Sequence, residues 1–342
     1  GNGLWYSSPE DEWQHACNLL AKEEEDAQPK AEFRVMARCS MDFHVLSTLW
    51  ILKVGHLFDA ELSTSAYGNR LRRTQDGKQI NPLSLGSFQP YLKPFRDWRD
   101  HGIKSMRSAL NDKKKIVALT ADASSFYHEL NPCFMLDGDF ISGVLGLTLS
   151  EEQAKLNRLF IKALLAWSAT TPLQRGLPVG LPASAVVANM ALVELDRIIA
   201  EQVAPIHYGR YVDDIILVME NGARFNSSAE FWEWLFARAD KKLGWKAEEK
   251  KGEKYKQIIF KPSYLSKKEC KSEIVFANAK NKLFLLAGET GINLVDAIDY
   301  HIRERASEWR SMPRLPQSAE YAGTDLLSAT QSDGEAADNL RK

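Results

Sequence analysis

The chain has 342 residues, of which 44% are hydrophobic, and this is enough apolar material for a sizeable core. Its formal net charge of -1 excludes a uniformly basic nucleic-acid coat, although unevenly distributed basic residues still allow a local binding groove. No stretch stays apolar for the roughly 18 residues of a membrane span, and the chain does not open on a basic-then-apolar signal segment. We therefore expect a globular, cytoplasmic protein with no membrane partner.

The N-terminal part of the chain predicts helix followed by an irregular region. Residues 10–60 carry apolar side chains at helical spacing, for example Phe43, Leu46 and Trp50. Glycine and proline punctuate residues 63–98 and predict loops and short hairpins there. A helical extension and a loop-rich region are thus expected before the first strand.

The first predicted strand and a later hairpin both lead to aspartates. Residues 116–120 form a short apolar strand that is followed closely by Asp122. The β-rich range 207–219 is divided only by Asp213 and Asp214, which is the spacing of a tight hairpin. Short strands are also expected between residues 256 and 286. Helices are predicted at 151–167, 183–200, 229–243 and 296–309.

These three aspartates suggest a metal site. Adjacent carboxylates at a hairpin tip repel each other, so an Asp-Asp pair with apolar neighbours favours a bound cation or ordered water. Mg²⁺ prefers oxygen ligands and combines carboxylates with phosphates and water. Asp122 is placed to add a third carboxylate to Asp213 and Asp214, and two ions held there could serve phosphoryl transfer to a 3′-hydroxyl. Taken alone, an Asp-Asp turn is also typical of a solvated loop.

Three segments around the aspartates carry a more specific pattern. Residues 211–214 read Tyr-Val-Asp-Asp, and residues 119–127 combine an apolar strand, an aspartate and an aromatic residue five positions later. Between them, residues 176–184 form a glycine-rich loop that continues into a helix containing Ala188-Asn189 and Leu195-Asp196. In type and order these segments resemble the palm motifs of reverse transcriptases.

The resemblance implies roles for individual residues. Asp122, Asp213 and Asp214 would be the catalytic ligands of two Mg²⁺ or Mn²⁺ ions, and the backbone carbonyl of Ala123 would be a further ligand. Tyr127 would be the steric gate, whose ring crowds the ribose 2′ position and favours deoxynucleotides. A packed core aromatic is the alternative interpretation of Tyr127.

Further nucleotide contacts are implied beside the gate and in the loop. Phe126 lies beside the gate and is a candidate nucleotide contact, although packing in the core is the favoured interpretation. Pro178 shapes the loop, and Gly180 would let the backbone approach a nucleotide or template because it has no Cβ. The motifs are supported by Tyr211, Val212, Ser184 and Asn189.

Basic residues supply candidates for phosphate contacts. Arg70, near Arg72 and Arg73, is preferred for the triphosphate because a planar guanidinium suits phosphate oxygens, with a solvated surface as the alternative. No single lysine after the hairpin is preferred. The remaining candidates are Lys241, Lys242, Lys246, Lys250 and Lys251 for phosphates and Arg303, Arg305 and Arg310 for a duplex backbone.

The implied fold is α+β: a right-hand polymerase with palm, fingers and an antiparallel palm sheet, preceded by a helical extension and followed by a partial helical thumb. The expected division is a helical N-terminal extension over 1–60, fingers over 61–115 and 136–175, palm over 116–135 and 176–285, and the start of a thumb or C-terminal domain over 286–342.

The implied activity is RNA-directed DNA polymerisation, with deoxynucleoside triphosphates and an RNA or DNA template-primer as partners. Val179 stands where many family members have Gln, and together with residues 65–71 and 286–310 it favours resemblance to prokaryotic abortive-infection and defence-associated enzymes. Some of those relatives synthesise DNA without a template or from a protein primer. Antiphage defence, a fused or associated defence domain and a homo-oligomer are compatible with this resemblance, as is a chain that is part of a longer polypeptide.

Two other functions remain open. A templated retroelement reverse transcriptase would use a fixed RNA template and an ordinary primer. A catalytically silent scaffold would bind nucleic acid or protein without chemistry, although the presence of all three aspartates favours an enzyme.

The four cysteines predict no metal or disulfide framework. Cys17, Cys39, Cys133 and Cys270 are far apart and form no C-x-x-C pair. Reduced, buried thiols are therefore expected.

Overall fold

The structure is a computed structural model that describes residues 36–307 except 76, 78, 82, 85, 172, 223–224, 251–252, 269–271 and 277–280. The side chains of 248–250, 253–255 and 301–307 are likewise not described. The expectations for residues 1–35 and 308–342, and for the side chains of Lys250, Lys251, Arg303 and Arg305, therefore lie outside the described residues. Within the described part of the chain, no helix has the length and apolar character needed to cross a membrane.

The helices of the described range enclose the strands. The α-helices are α1 (Met41–Trp50), α2 (His56–Ala60), α3 (Leu92–Asn111), α4 (Phe126–Glu129), α5 (Glu151–Thr170), α6 (Pro182–Met190), α7 (Val193–Ile198), α8 (Ser228–Arg238), α9 (Ser263–Ser266) and α10 (Gly288–Ser307). Shorter turns of π-helix at Ile51–Gly55, Asp139–Val144 and Ile199–Val203 and of 3₁₀-helix at Pro132–Leu136 connect or extend them. The strands are β1 (Ile116–Asp122), β2 (His207–Tyr211), β3 (Asp214–Glu220), β4 (Leu243–Lys250), β5 (Glu253–Phe260), β6 (Ile274–Phe276) and β7 (Lys282–Leu286).

A four-stranded antiparallel sheet lies at the centre, in the order β2-β3-β1-β7. Every residue of β1 is buried: β3 and β7 pair along its two edges, and α3 packs against it. The uninterrupted apolar run at the start of β1 is typical of such a central strand. In the register of this sheet, the last residue of β1 lies opposite the first residue of β3, so that Asp122 pairs with Asp214.

A second antiparallel sheet has the order β4-β5-β6. It meets the first sheet just after β1, where Ala123 forms an isolated bridge with Phe276. The backbone N–H of Ser124 also donates to the carbonyl of Val275, at 2.8 Å. The residues that follow the first aspartate are thus held between the two sheets.

Buried polar contacts attach the N-terminal helices to the core. The indole Nε1 of the fully buried Trp50 donates to Oδ1 of Asn157 at 3.0 Å, while Nδ2 of Asn157 donates to the carbonyl of Met135 at 2.7 Å. Helix α5 begins with a capping box in which Ser150 and Gln153 satisfy each other's backbone N–H groups. These contacts fix α1 and α5 as one side of the core.

The structure confirms the predicted strand at 116–120 and the hairpin around Asp213 and Asp214. It also confirms a mixed fold of helices and antiparallel sheets, while its division into palm, fingers and thumb remains a prediction. The expectation of irregular structure through residue 98 is wrong, because α3 already begins at Leu92. Pro94 lies in the first turn of α3, where a missing N–H costs no intrahelical hydrogen bond.

Three other expectations differ from the structure in their boundaries. The helix predicted over 183–200 is broken by a turn at residues 191–192, and the helix predicted over 229–243 ends at Arg238. The short strands expected between residues 256 and 286 begin earlier, because the lysine-rich segment forms β4 and the start of β5. The pairing of these two strands supplies hydrogen bonds that local pattern did not indicate.

One cysteine corrects the expectation of reduced thiols. Cys133 is disulfide-bonded, whereas Cys39 is free and half-buried. Sequence spacing could not show this bond, because disulfide geometry depends on the approach of distant segments.

Candidate active site

Two of the three aspartates face each other across the central sheet. Asp122 and Asp214 are register partners on β1 and β3, and both are buried, with 1% and 5% of their surface exposed. Asp213 is half-buried and lies in the turn between β2 and β3. The carbonyl of Asp213 accepts a hydrogen bond from the N–H of Ala123, at 3.4 Å. The fold therefore brings all four predicted metal-site residues to one end of β1.

The side chains of the aspartates do not converge on one point, although their backbones lie close together. Among the described residues, no three histidine, cysteine, aspartate or glutamate side chains form a group that could hold a metal ion. The donor set nevertheless fits Mg²⁺ in kind, because carboxylate and carbonyl oxygens are its preferred protein ligands. The backbone register and the oxygen ligands thus suit a divalent cation. The carboxylate side chains, as the structure places them, do not converge on one metal position.

The hairpin turn that carries Asp213 has a strained backbone. Val212 is its first central residue and adopts a φ of +61°, in the left-handed region that a β-branched side chain rarely occupies. A positive φ at this place is required by a type II′ hairpin turn, where glycine is usual. The turn geometry must therefore be enforced by its surroundings.

An aromatic cluster supports the turn from one side. The ring of Tyr211 contacts Tyr91 and Phe95 edge-on, with centroid separations of 5.7 and 5.3 Å, and lies 5.9 Å from the ring of Trp98. Three of these rings belong to α3 or to the residue before it. Helix α3, whose first turn the sequence pattern did not predict, thus supports the hairpin that carries Asp213 and Asp214.

The predicted gate residue lies near the aspartates. Burial and, secondarily, the charge of Asp213 raise the pKa of Tyr127 above its usual range, so its hydroxyl remains protonated. That hydroxyl accepts a hydrogen bond from Nδ2 of Asn69 at 3.4 Å. The backbone carbonyl of Tyr127 accepts the N–H of Leu177 at 2.7 Å, which joins the gate to the glycine-rich loop.

The glycine-rich loop packs tightly at one end and is open at the other. Gly176 has a φ of +97°, and a Cβ there would lie 2.7 Å from the carbonyl oxygen of His128. Pro178 is buried, whereas Gly180 is exposed with a φ of +102°. The Val179 carbonyl accepts the N–H of Ala37 at 3.0 Å, so the start of the described chain runs along this loop.

Two candidates for the nucleotide site, Phe126 and Arg70, make other contacts in the structure. Phe126 is 4% exposed and packs in the hydrophobic core, as its favoured interpretation expects. Arg70 donates through Nε to Asp59 and through both Nη groups to the carbonyls of Asp59, Ser63 and Ala66. Its guanidinium thus binds several groups of the fold, and its assignment to a triphosphate stays a prediction.

Two of the lysines after the hairpin form ion pairs with glutamates. Lys242 forms an ion pair with Glu194 at 2.8 Å, and Lys246 donates to Glu273 at 2.5 Å. Lys241 is exposed. None of these contacts identifies a phosphate-binding lysine.

The sequence pattern missed a buried polar network behind the hairpin. Arg210 is completely buried and binds both carboxylate oxygens of Asp196, at 2.8 and 2.7 Å. The same guanidinium donates to Oδ1 of Asn189 and to the carbonyl of Val212. A signal was available, because charged residues within apolar runs are usually buried as pairs. Ser184, by contrast, is buried with its Oγ lacking a partner among the described residues.

The comparison with known families agrees with this geometry. The sequence model of the family described as "Reverse transcriptase (RNA-dependent DNA polymerase)" matches residues 22–261. The match spans well over half of the chain and includes all three aspartates, the gate and the glycine-rich loop. The chain therefore belongs to the reverse transcriptase family. No curated protein matches it closely enough to count as a relative.

Proposed function

We propose that the chain is a divalent-metal-dependent DNA polymerase of the reverse-transcriptase type, which adds deoxynucleotides to a 3′-hydroxyl or to a protein hydroxyl primer. The observation that carries this proposal is the register of Asp122 opposite Asp214, with Asp213 in the adjoining turn. Membership of the reverse transcriptase family supports the same activity. The proposed architecture is a palm around the central sheet, fingers before it and a thumb that begins near α10.

In this proposal, Asp122, Asp213, Asp214 and the carbonyl of Ala123 hold two Mg²⁺ or Mn²⁺ ions. When bound, such ions activate the attacking hydroxyl and stabilise the charge of the leaving pyrophosphate. The chain's own contribution is to place oxygen ligands where the end of β1 and the start of β3, two largely buried strands, lie side by side.

The remaining residues of the site bind and orient the substrate. The protonated hydroxyl of Tyr127, held by Asn69, fixes the ring that crowds the ribose 2′ position. The exposed Gly180 leaves room for a nucleotide or template to approach the backbone. Tyr127 is thus proposed to select the sugar, and the glycine-rich loop is proposed to make room for the nucleotide or template.

We further propose a role in antiphage defence, with cytoplasmic location. This part rests on the resemblance of Val179, residues 65–71 and residues 286–310 to defence-associated enzymes. DNA synthesis without a template, or from a protein primer, would belong to the same proposal, as would a homo-oligomer or an associated defence domain.

A second candidate is a catalytically silent scaffold that binds nucleic acid or protein. The observation in its favour is that, in the described part of the chain, the carboxylates do not form a three-ligand group. The two candidates differ in whether any metal supports nucleotide incorporation.

The test is incorporation of each labelled deoxynucleotide with Mg²⁺ or Mn²⁺, with and without added RNA template and primer. The inactive control is Asp213→Asn/Asp214→Asn, and the surface control is Asp240→Asn, whose side chain is 86% exposed. Product that needs a template and disappears only in the first control establishes a templated reverse transcriptase. Product without added template, after copurified nucleic acid is removed, favours the defence type. No product in a folded protein that binds nucleic acid would favour the scaffold.

A further inference from the structure

The turn Val212–Asp213 needs an external restraint. A β-branched residue in the left-handed region is strained, and this strain persists only where neighbouring contacts impose it. The carbonyl of Asp213 has one such contact, with the N–H of Ala123. The carbonyl of Val212 has another, with Nη1 of Arg210 at 2.7 Å.

The guanidinium of Arg210 is itself fixed in position. Its Nε and Nη2 bind the two oxygens of Asp196 as a fork, and Asp196 also accepts the hydroxyl of Tyr208 at 2.6 Å. Nη1 is shared between Val212 and Oδ1 of Asn189, which accepts at 2.9 Å. A guanidinium held by this many hydrogen bonds has little freedom to move. It therefore restrains the position of the Val212 carbonyl that it binds.

The same network reaches residues 65–68, which lie along the outer edge of β2. Nδ2 of Asn189 donates to the carbonyl of Gly68 at 2.9 Å. On the outer edge of β2, the N–H of Arg210 donates to Ser65 and its carbonyl accepts the N–H of Tyr67, at 2.7 and 2.8 Å. The backbone of Arg210 is thus bonded to residues 65 and 67, and its side chain is linked to residue 68 through Asn189. The same short segment packs against the turn, at Val212.

A purely stabilising role would not require this arrangement. A buried ion pair contributes little net stability compared with apolar residues of similar volume, because removing both charges from water is costly. One donor of the guanidinium is directed instead at the carbonyl of the strained residue next to Asp213. That contact restrains the backbone that carries the two proposed metal ligands of the hairpin.

We propose that Arg210 is a positioning residue of the active site: through the Val212 carbonyl it sets the place of Asp213 and Asp214 without touching substrate. This inference rests on the proposed polymerase function. It predicts that weakening the contact loosens the turn and lowers kcat, while the KM for deoxynucleotide changes less.

The principal variant is Arg210→Lys, which keeps the buried positive charge but cannot reach Asp196, Asn189 and Val212 together. A second variant, Arg210→Met/Asp196→Leu, replaces the ion pair with apolar side chains and guards against misfolding from an unpaired charge. The matched control is Asn157→Ala, which removes a buried polar side chain that bonds Trp50 and Met135 away from the hairpin. All three should be compared at a temperature where each is folded.

Two readouts are needed. Amide hydrogen exchange of residues 211–214 reports the turn directly, and we expect it to be at least about tenfold faster in both Arg210 variants and unchanged in Asn157→Ala. Steady-state incorporation should show a fall in kcat of about 10- to 100-fold, because small displacements of catalytic groups are costly. Exchange rates equal to wild type, or a kcat within twofold of it in a folded variant, would overturn the proposal. Inactive wild-type protein would refute the polymerase function instead, while the exchange rates would still decide whether Arg210 holds the turn.

Discussion

Gly68 lies directly against Val212. A Cβ on Gly68 would be 2.7 Å from the backbone nitrogen of Val212 and 2.8 Å from its Cγ2, which is closer than carbon atoms tolerate. The Val212 nitrogen belongs to the backbone and cannot turn aside as a flexible side chain could. Either the hairpin turn or the loop that contains Gly68 would therefore have to move. The hairpin that carries Asp213 and the loop that contains Gly68 are thus in contact with no space for an added Cβ.

The first prediction concerns Gly68→Ala. We expect a loss of about 1–3 kcal/mol in the free energy of unfolding and a fall in incorporation rate larger than this loss explains, because overpacking displaces the turn. Gly222→Ala is the matched control, since a Cβ there meets nothing within 4 Å. Urea unfolding and incorporation assays measure the two effects. Normal activity in Gly68→Ala would show that the contact does not restrain the turn.

The second prediction concerns the opposed carboxylates. Like charges directly across an antiparallel pair destabilise it, and Asp122 and Asp214 are register partners. Without divalent ions, Asp122→Asn should unfold at the same or a higher temperature than wild type. Adding Mg²⁺ should raise the wild-type unfolding temperature and leave that of the variant nearly unchanged. A wild-type protein whose melting ignores both Mg²⁺ and Mn²⁺ would speak against a metal site at this position.

The third prediction separates the structural role of Arg70 from a nucleotide contact. Arg70→Ala should lower the free energy of unfolding by about 2–3 kcal/mol, because it leaves the buried carboxylate of Asp59 with fewer donors. The KM for deoxynucleotide should stay near the wild-type value. Lys93→Ala, which removes an exposed ion pair with Asp97, serves as the control with little effect. A raised KM at unchanged stability would support the triphosphate assignment of Arg70.

The fourth prediction concerns the gate. Tyr127→Ala should relax discrimination against ribonucleotides, because the ring that crowds the 2′ position is removed. Tyr127→Phe keeps the ring and loses only the bond from Asn69, so discrimination should remain closer to wild type. The ratio of kcat/KM for deoxynucleotide and ribonucleotide measures the effect. An unchanged ratio in Tyr127→Ala would assign the residue to packing alone.

The fifth prediction concerns acid stability. Burial and, secondarily, the nearby charge of His101 lower the pKa of His207 to about 4, from an ordinary value of 6.5. Between these two values the unfolded chain binds a proton that the folded protein does not, so stability falls as pH decreases from 6.5 towards 4. His207→Gln should flatten this part of the stability curve. Thermal unfolding at pH 7, 6, 5 and 4 tests it, and an identical pH dependence in the variant would contradict it.

The elements that local pattern predicted best are those next to the aspartates. The strand ending at Asp122 and the hairpin around Asp213 are short, apolar and bounded by turn residues, so their periodicity identifies them without tertiary context. The start of α3 was missed because proline and glycine in the preceding residues suggested loop, although Pro94 is tolerated in a first turn. Strand β4 was missed because it depends on pairing with β5.

The roles of the arginines show the same division. Arg70 and Arg210 are chemically identical, and each stands near a motif. Only the fold shows that Arg70 binds Asp59 and that Arg210 binds Asp196 and the Val212 carbonyl. Hydrogen bonds between residues distant in sequence depend on how the chain closes, which local spacing does not describe.

Residue type and motif order, which are local properties of the chain, were enough to predict the family, which the family match confirms, and to name three candidate metal-binding aspartates. Tertiary structure decided that Asp122 lies opposite Asp214, that Phe126 is core and that Arg210 supports the turn. These depend on strand register, burial and long-range hydrogen bonds, which arise only when the sheet and helices pack together.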